Sequence, residues 1–319
     1  HLNSILIPRV SDTPNNTQVL NYFVNHFSRL RWDATIDTFQ SNTPLGRKTF
    51  NNLVVNSNKD APFRLTLAAH YDSKYFKNAE FLGATDSAFP CALLLDLATF
   101  FTPILNKSNF TTSYGPSFDG RQLDEHDLSL QMIFFDGEEA FENWSDNDSI
   151  YGAKHLAETL STSYIDIQEA HHPPVSKRRL KPHPTELDRI DHLVLLDLLG
   201  APNPTIPNYF STTEWMHSHM IDIENRLNSI AETPTVDQSN NFQSRFFVNR
   251  TSRSGISDDH LPFLHRGVPI FHVIPNPFPS VWHKLSDDRS ALSIPTMSRW
   301  NAIMRTFIAE YMQLRPLIH

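Results

Sequence analysis

The chain has 319 residues, 39% of them hydrophobic, and 27 basic against 35 acidic side chains give a formal charge of −8. That is enough apolar content for a substantial core in one domain spanning 1–319, and the acidic balance argues against a partner bound through phosphates, so no nucleic-acid partner is expected. No apolar run approaches the roughly 20 residues needed to cross a bilayer, so no membrane span is expected, and Cys91 is the one cysteine, which excludes an internal disulfide.

In chain order, Leu20, Phe23, Val24, Phe27 and Leu30 recur at helical spacing, and the β-branched and aromatic stretch from Trp32 to Phe39 then predicts a strand. Phe50 to Val55 and Arg64 to Ala69 predict two further strands, and Pro90 to Phe101 a helix with proline in its first turn. Leu130 to Phe135 is almost wholly apolar, as a strand covered on both faces should be, and a helix follows over Ile150 to Leu160. Ser161 to Asp188 turns polar and proline-rich without a sustained period, which predicts a long excursion from the sheet, and Lys177-Arg178-Arg179-Leu180-Lys181 within it reads as a solvated basic loop. Ile190 to Leu199 and Val268 to Ile274 predict strands, Glu214 to Ile230 and Ser293 to Leu314 helices. The alternation implies an α/β three-layer sandwich with a mixed, largely parallel central sheet flanked by helices.

Acidic and histidine side chains stand at the ends of these apolar runs. Asp86, Glu139 and His283 are candidate zinc ligands, because two carboxylates and one imidazole make a three-ligand catalytic site whose fourth position takes water or a substrate carbonyl. Glu138 follows the same apolar strand and the turn residue Gly137, and is left free to carry protons. Asp197 interrupts Val194-Leu195-Leu196 and Leu198-Leu199, where a buried carboxylate needs a metal or hydrogen-bond donors. In Asp258-Asp259-His260, Asp259 is also a candidate N-cap for a helix starting there. No Gly-X-Gly-X-X-Gly, phosphate-binding loop, Gly-X-Ser-X-Gly, His-Glu-X-X-His or Cys-X-X-Cys is present, which gives nucleotide binding and serine hydrolase chemistry little support.

His70-Tyr-Asp-Ser-Lys74, Gly83-Ala-Thr-Asp-Ser-Ala88, Phe134-Phe-Asp-Gly-Glu-Glu-Ala-Phe141 with Trp144, Leu195-Leu-Asp-Leu-Leu-Gly-Ala-Pro-Asn-Pro204, Asp258-Asp-His-Leu-Pro-Phe263 and Pro277-Phe-Pro-Ser-Val-Trp-His283 together resemble the animal glutaminyl cyclases. The resemblance runs from the first helix to the last. It implies a zinc aminopeptidase-like fold and one zinc ion per chain, held by Asp86, Glu139 and His283. It also implies an acyltransferase activity that cyclises N-terminal glutamine, and more slowly glutamate, of peptides and proteins to pyroglutamate. On the same ground Glu138 is the general acid/base, Asp197 and Asp258 complete its hydrogen-bond network, and Trp144 and Trp282 wall the substrate side chain. Two positions depart from the pattern. Ala69 stands where relatives carry a cysteine that pairs with the one matching Cys91, and Ser257 where vertebrate relatives have a larger amide residue.

Two rival readings remain at this level. His70, Asp86 and Asp197 suit a second metal of a zinc aminopeptidase, and a secreted binding protein on a former peptidase fold would need neither metal nor base. The first residues lack the charged and apolar segments of a signal peptide, while sequons at Asn15, Asn106, Asn109, Asn143, Asn147 and Asn249 fit a glycoprotein that is secreted or held in the secretory-pathway lumen. A monomer acting on peptide or protein substrates is expected.

Overall fold

Thr13 starts the first long helix. Its hydroxyl accepts the Asn16 N–H, Pro14 takes the first helical position, and Arg31 at φ 61° closes α2 (Pro14–Leu30) after the single turn α1 (Leu2–Ile5). The structure, a computed structural model, describes residues 1–106, 128–165, 183–231, 245–252 and 255–314.

The main sheet has six strands in the order β1-β2-β4-β3-β5-β8. Strands β1 (Asp33–Thr43) and β2 (Gly46–Asn56) form an antiparallel hairpin, and β2 joins β4 (Leu128–Phe135) antiparallel only over Leu53–Asn56. From there the sheet is parallel: β4, β3 (Phe63–His70), β5 (Ile190–Leu196) and β8 (Ile270–Val273). Leu65, Leu67 and Ala69 of β3 pack with α2, α3 (Phe89–Leu105), α5 (Glu214–Ala231) and α7 (Ile294–Tyr311). Ala68 instead joins Ile133, Phe135, Leu193 and Leu195 under α4 (Tyr151–Thr162) and α6 (Leu261–Leu264). The two-residue alternation of a strand buried on both faces thus yields the three layers expected from sequence.

Element bounds differ from expectation where polarity hid them. The hairpin runs past the sheet with both faces wet, so its Thr, Gln, Asn and Lys cross-strand pairs carry no apolar signal. Strand β5 stops at Leu196, so Asp197 follows the strand instead of interrupting it. A short parallel pair, β6 (Ile206–Asn208) and β7 (Phe247–Thr251), was not foreseen. Buried Glu224 secures it by accepting the Phe246 and Phe247 N–H groups at 2.9 Å each while pairing with Arg299 at 3.1 Å. One stretch bears on the membrane expectation: the wide turn at Ala84–Ala88 merges with α3 into 22 residues, Ala84–Leu105, which by length and composition alone could cross a bilayer. Two thirds of its most apolar window (67%) is buried inside the protein, and Cys91, Leu94, Leu97, Ala98 and Phe101 belong to the core, which explains its apolarity without a membrane. Of the predicted excursion, 166–182 with its basic run lies outside the described residues.

Candidate active site

Parallel strands all end at the same edge of the sheet, and side chains placed just beyond those ends meet there. His70 ends β3, Glu138 and Glu139 follow β4 through Gly137, Asp197 follows β5, and the wide turn before α3 carries Asp86. His283 arrives on the segment after β8. Its Nε2 lies 3.5 Å from Asp86 Oδ2 and 3.5 Å from Glu139 Oε1. Both oxygens are buried without a hydrogen-bond donor, a costly state for a carboxylate. Two orphaned carboxylate oxygens and one imidazole nitrogen converging on a common point fit a zinc ion, and the 26% exposure of the His283 side chain leaves the open side toward solvent. Burial, then the charge of Glu139, pushes the Asp86 carboxyl up to about 7, a repulsion that a dication between them would reverse.

The other predicted residues gather around this point. Asp72 accepts the Glu138 N–H on one oxygen and the Glu139 N–H on the other, each at 3.1 Å, which fixes both peptide groups of the glutamate pair. Burial holds the Glu138 carboxyl well above the usual range, and Glu139, Asp258 and Asp259 add to it against the pull of His70. Burial opposes the protonation of His70, but Glu138, Asp197, Asp72 and Asp86 outweigh it and raise its pKa well above the ordinary imidazole value. It lies 3.0 Å from Asp86 Oδ1, 3.4 Å from Asp197 Oδ1 and, on its other nitrogen, 3.4 Å from Asp72 Oδ1. Asp197 Oδ1 also accepts the Ser87 hydroxyl and, at 2.8 Å, the Leu198 N–H. Asp258 accepts His272 Nε2 at 2.7 Å.

Asp259 does not cap α6. The residue before that helix is His260, the Asp258 carbonyl accepts the Leu261 N–H at 3.0 Å, and both Asp259 carboxylate oxygens are buried without a hydrogen-bond partner. Burial, then the charge of Asp258, pushes this carboxyl well above its ordinary range.

A cleft of about 450 Å³ opens over the cluster, with Glu138, Asp197, Asp258, Trp144, Trp282 and His283 in its wall. Trp144 and Trp282 are 41% and 40% exposed, unusual for tryptophan and suited to covering a guest molecule. Trp282 stacks on His283 with ring centroids 4.1 Å apart, and Phe278 meets Trp282 edge-on at 4.9 Å. His283 and Leu198 adopt φ of 54° and 56°, left-handed conformations that tertiary contacts must sustain, as they often do at working sites.

Sequence reasoning gave no role to Lys74, whose ammonium sits 3.2 Å from Glu139 Oε2, nor to Ser87 and His272. Lys74 and Ser87 lie inside quoted motifs, so their signal was present, whereas His272 is marked only by being polar inside an apolar strand. Gly83 has a role that geometry alone reveals. At φ 53°, an added Cβ would stand 2.0 Å from the Asp86 carbonyl oxygen. Gly83→Ala should therefore displace the Asp86 turn, lowering the thermal midpoint and weakening zinc retention together. Unchanged values of both, by calorimetry and by dialysis against a chelator, would contradict this account of the turn.

Comparison with known proteins agrees with the geometry. The family model for peptidase family M28 matches residues 52–308. A glutaminyl-peptide cyclotransferase of Drosophila melanogaster is 40% identical over 316 residues, covering 98% of this chain and 79% of its own. The crystal structure of Macrostomum lignano glutaminyl cyclase superposes with a TM-score of 0.82 at 33% identity, covering 99% of this chain and 88% of the other. A zinc-dependent exopeptidase of Parabacteroides distasonis, 16% identical with a TM-score of 0.69 over 96% of this chain and 94% of its own, shares the fold. With strand order, converging side chains and near full-length kinship in agreement, the chain belongs to peptidase family M28, among its glutaminyl-peptide cyclotransferases.

Proposed function

We propose that this chain is a zinc-dependent acyltransferase that cyclises N-terminal glutamine, and more slowly glutamate, of peptides and proteins to pyroglutamate, releasing ammonia or water. One zinc per chain would be held by Asp86, Glu139 and His283, and when bound it supplies a Lewis acid for the side-chain carbonyl under attack. The observation that carries the reading is Glu138, which is buried in the cleft wall directly beside the ligand set and left out of it.

The chemistry is an intramolecular exchange of amines. The substrate's α-nitrogen forms a bond to its own δ-carbon and the bond from that carbon to the amide nitrogen breaks. Glu138 takes the proton from the attacking nitrogen and returns it to the departing one, acting first as base and then as acid. Asp197 accepts from the amide N–H₂, and Asp258, held by His272, keeps the neighbouring wall in place. Trp144 and Trp282 exclude extended rotamers and water, which brings nucleophile and carbon into a near-attack arrangement.

A second reading draws on a specific observation. Ligand atoms of His70, Asp86 and Asp197 lie within 4.8 Å of one another, a potential second ion site of an aminopeptidase that shares Asp86. Against it, Asp197 Oδ1 is already engaged by the Ser87 hydroxyl and the Leu198 N–H. A Gln-initiated peptide separates the two. Loss of ammonia with an intact backbone and one zinc per chain is the expected outcome, whereas free glutamine and two zinc ions per chain would transfer the assignment to peptide hydrolysis.

The reading extends to a monomeric glycoprotein of the secretory pathway or the extracellular space. It is supported by five sequon asparagines with exposed side chains, Asn15, Asn106, Asn143, Asn147 and Asn249; Asn109 lies outside the described residues. Asn143 lines the cleft, so a sugar there would obstruct it, and the other four are the better acceptors.

A further inference from the structure

Arg9 is fully buried, far from the cleft wall in sequence and absent from every motif discussed above. Among the described residues, no carboxylate oxygen lies within salt-bridge distance of it. Its guanidinium instead donates to four backbone carbonyls, those of Ile7 (3.3 Å), Leu82, Gly83 (3.0 Å) and Asp86 (3.4 Å). Three of the four belong to the turn that presents the candidate ligand Asp86. The Arg9 backbone is itself pinned to the segment that follows β3, its N–H donating to Ser73 Oγ at 2.9 Å and its carbonyl accepting the Ser73 N–H at 3.3 Å.

The opposite side of the same turn meets a buried anion. Asp287 Oδ1 accepts the Thr85 N–H at 2.9 Å, and the Asp287 carbonyl accepts the Ala84 N–H at 2.9 Å. Asp287, like Arg9, has no solvent exposure. A cation on the Leu82, Gly83 and Asp86 carbonyls and a carboxylate on the Thr85 N–H amount to an ion pair held open around a loop. The Gly83–Ala84 peptide is held at both ends, its carbonyl by Arg9 and its N–H by the Asp287 carbonyl. Burying either charge alone would be expensive, and the loop is what compensates both.

We propose that Arg9 and Asp287 are positioning residues for the metal centre, clamping residues 82–86 so that Asp86 is preorganised as a ligand before zinc arrives. The inference rests on Asp86 being a zinc ligand. Free of the clamp, a turn containing a left-handed Gly83 and a non-helical Asp86 (φ −118°, ψ 78°) would sample other conformations, and zinc binding would then have to order it. Outer contacts of this kind are worth roughly 10–100-fold in metal affinity.

The test compares the parent chain with Arg9→Lys, Arg9→Met and Asp287→Asn, using zinc itself as the probe in competition with a chromophoric chelator and recording the thermal midpoint of the metal-free proteins alongside. Lysine keeps the charge but cannot fork across three carbonyls. Zinc affinity should fall by roughly 10–100-fold in Arg9→Lys and Asp287→Asn, with turnover recovering as free zinc is raised. The double variant should lose less than the two single losses combined, since both act on one turn. Should Arg9→Met fail to fold, the two milder variants decide. Parent-like zinc affinity in Arg9→Lys and Asp287→Asn, even with a lowered midpoint, would make the clamp structural only and overturn the proposal. Asp86→Asn serves as the control: if it too binds zinc as the parent does, the ligand assignment itself has failed, a result distinct from failure of the clamp alone.

Discussion

Glu138→Gln should retain zinc, fold normally and lose roughly 10²–10⁴ of its turnover, the span expected when general acid/base catalysis is removed. Glutamine keeps the size of the side chain and can still fill the cleft wall, but it cannot accept a proton from the attacking amine or deliver one to the departing nitrogen. KM should change little, since the tryptophans and the ligand set are untouched. The pH profile adds a second check. Burial raises the Glu138 carboxyl, so the active carboxylate form is gained as pH rises through its folded-state pKa and lost as pH falls below it. In the parent, kcat/KM should therefore fall on the acid side, and in the variant that limb should flatten to the titration of the substrate amine alone. Turnover within a few-fold of the parent would remove Glu138 from the mechanism.

His283→Ala should abolish both zinc retention and activity. His283 supplies the single neutral donor beside two carboxylates, and its loss should exceed the roughly 10–100-fold cost of disturbing an outer contact. The metal-free fold should be largely indifferent, because the side chain is partly exposed, stacks on Trp282 and meets Phe81 edge-on at 6.5 Å. A metal assay showing stoichiometric zinc in the variant would displace His283 from the ligand set. Together the two variants separate the roles: one keeps the ion without the proton carrier, the other keeps the carrier without the ion.

Much of the site was legible because parallel strands announce themselves as apolar runs and the working residues stand where those runs stop. Glu138, Glu139 and Asp197 were found on that logic, and the structure sharpened it by ending β5 at Leu196, one residue before Asp197. The role proposed for Trp144 came from resemblance, since an exposed tryptophan leaves no periodic trace. Asp259 stood as a candidate cap because aspartate before a short helix resembles one, and only the backbone shows that His260 occupies that place. The grip of Asp72 on two consecutive amides and that of Arg9 on three carbonyls were invisible for a common reason: they act on backbone groups, whose positions no side-chain pattern encodes. The polar hairpin was underestimated in length because two wet faces look alike.

The clamp at the Asp86 turn also bears on the order in which the molecule assembles. Thr85 and Asp287 are 202 residues apart in the chain, and the loop they close encloses three of the four parallel strands of the main sheet. Such closure is slow, since its entropy must be spent before distant contacts return anything. Helix α2 and the β1–β2 hairpin, built from neighbours in sequence, can form early, while the three proposed metal donors come into register only when the C-terminal segment docks. Uptake of the ion would then report the last event of folding, and a nascent chain lacking its final forty residues would be unable to capture it.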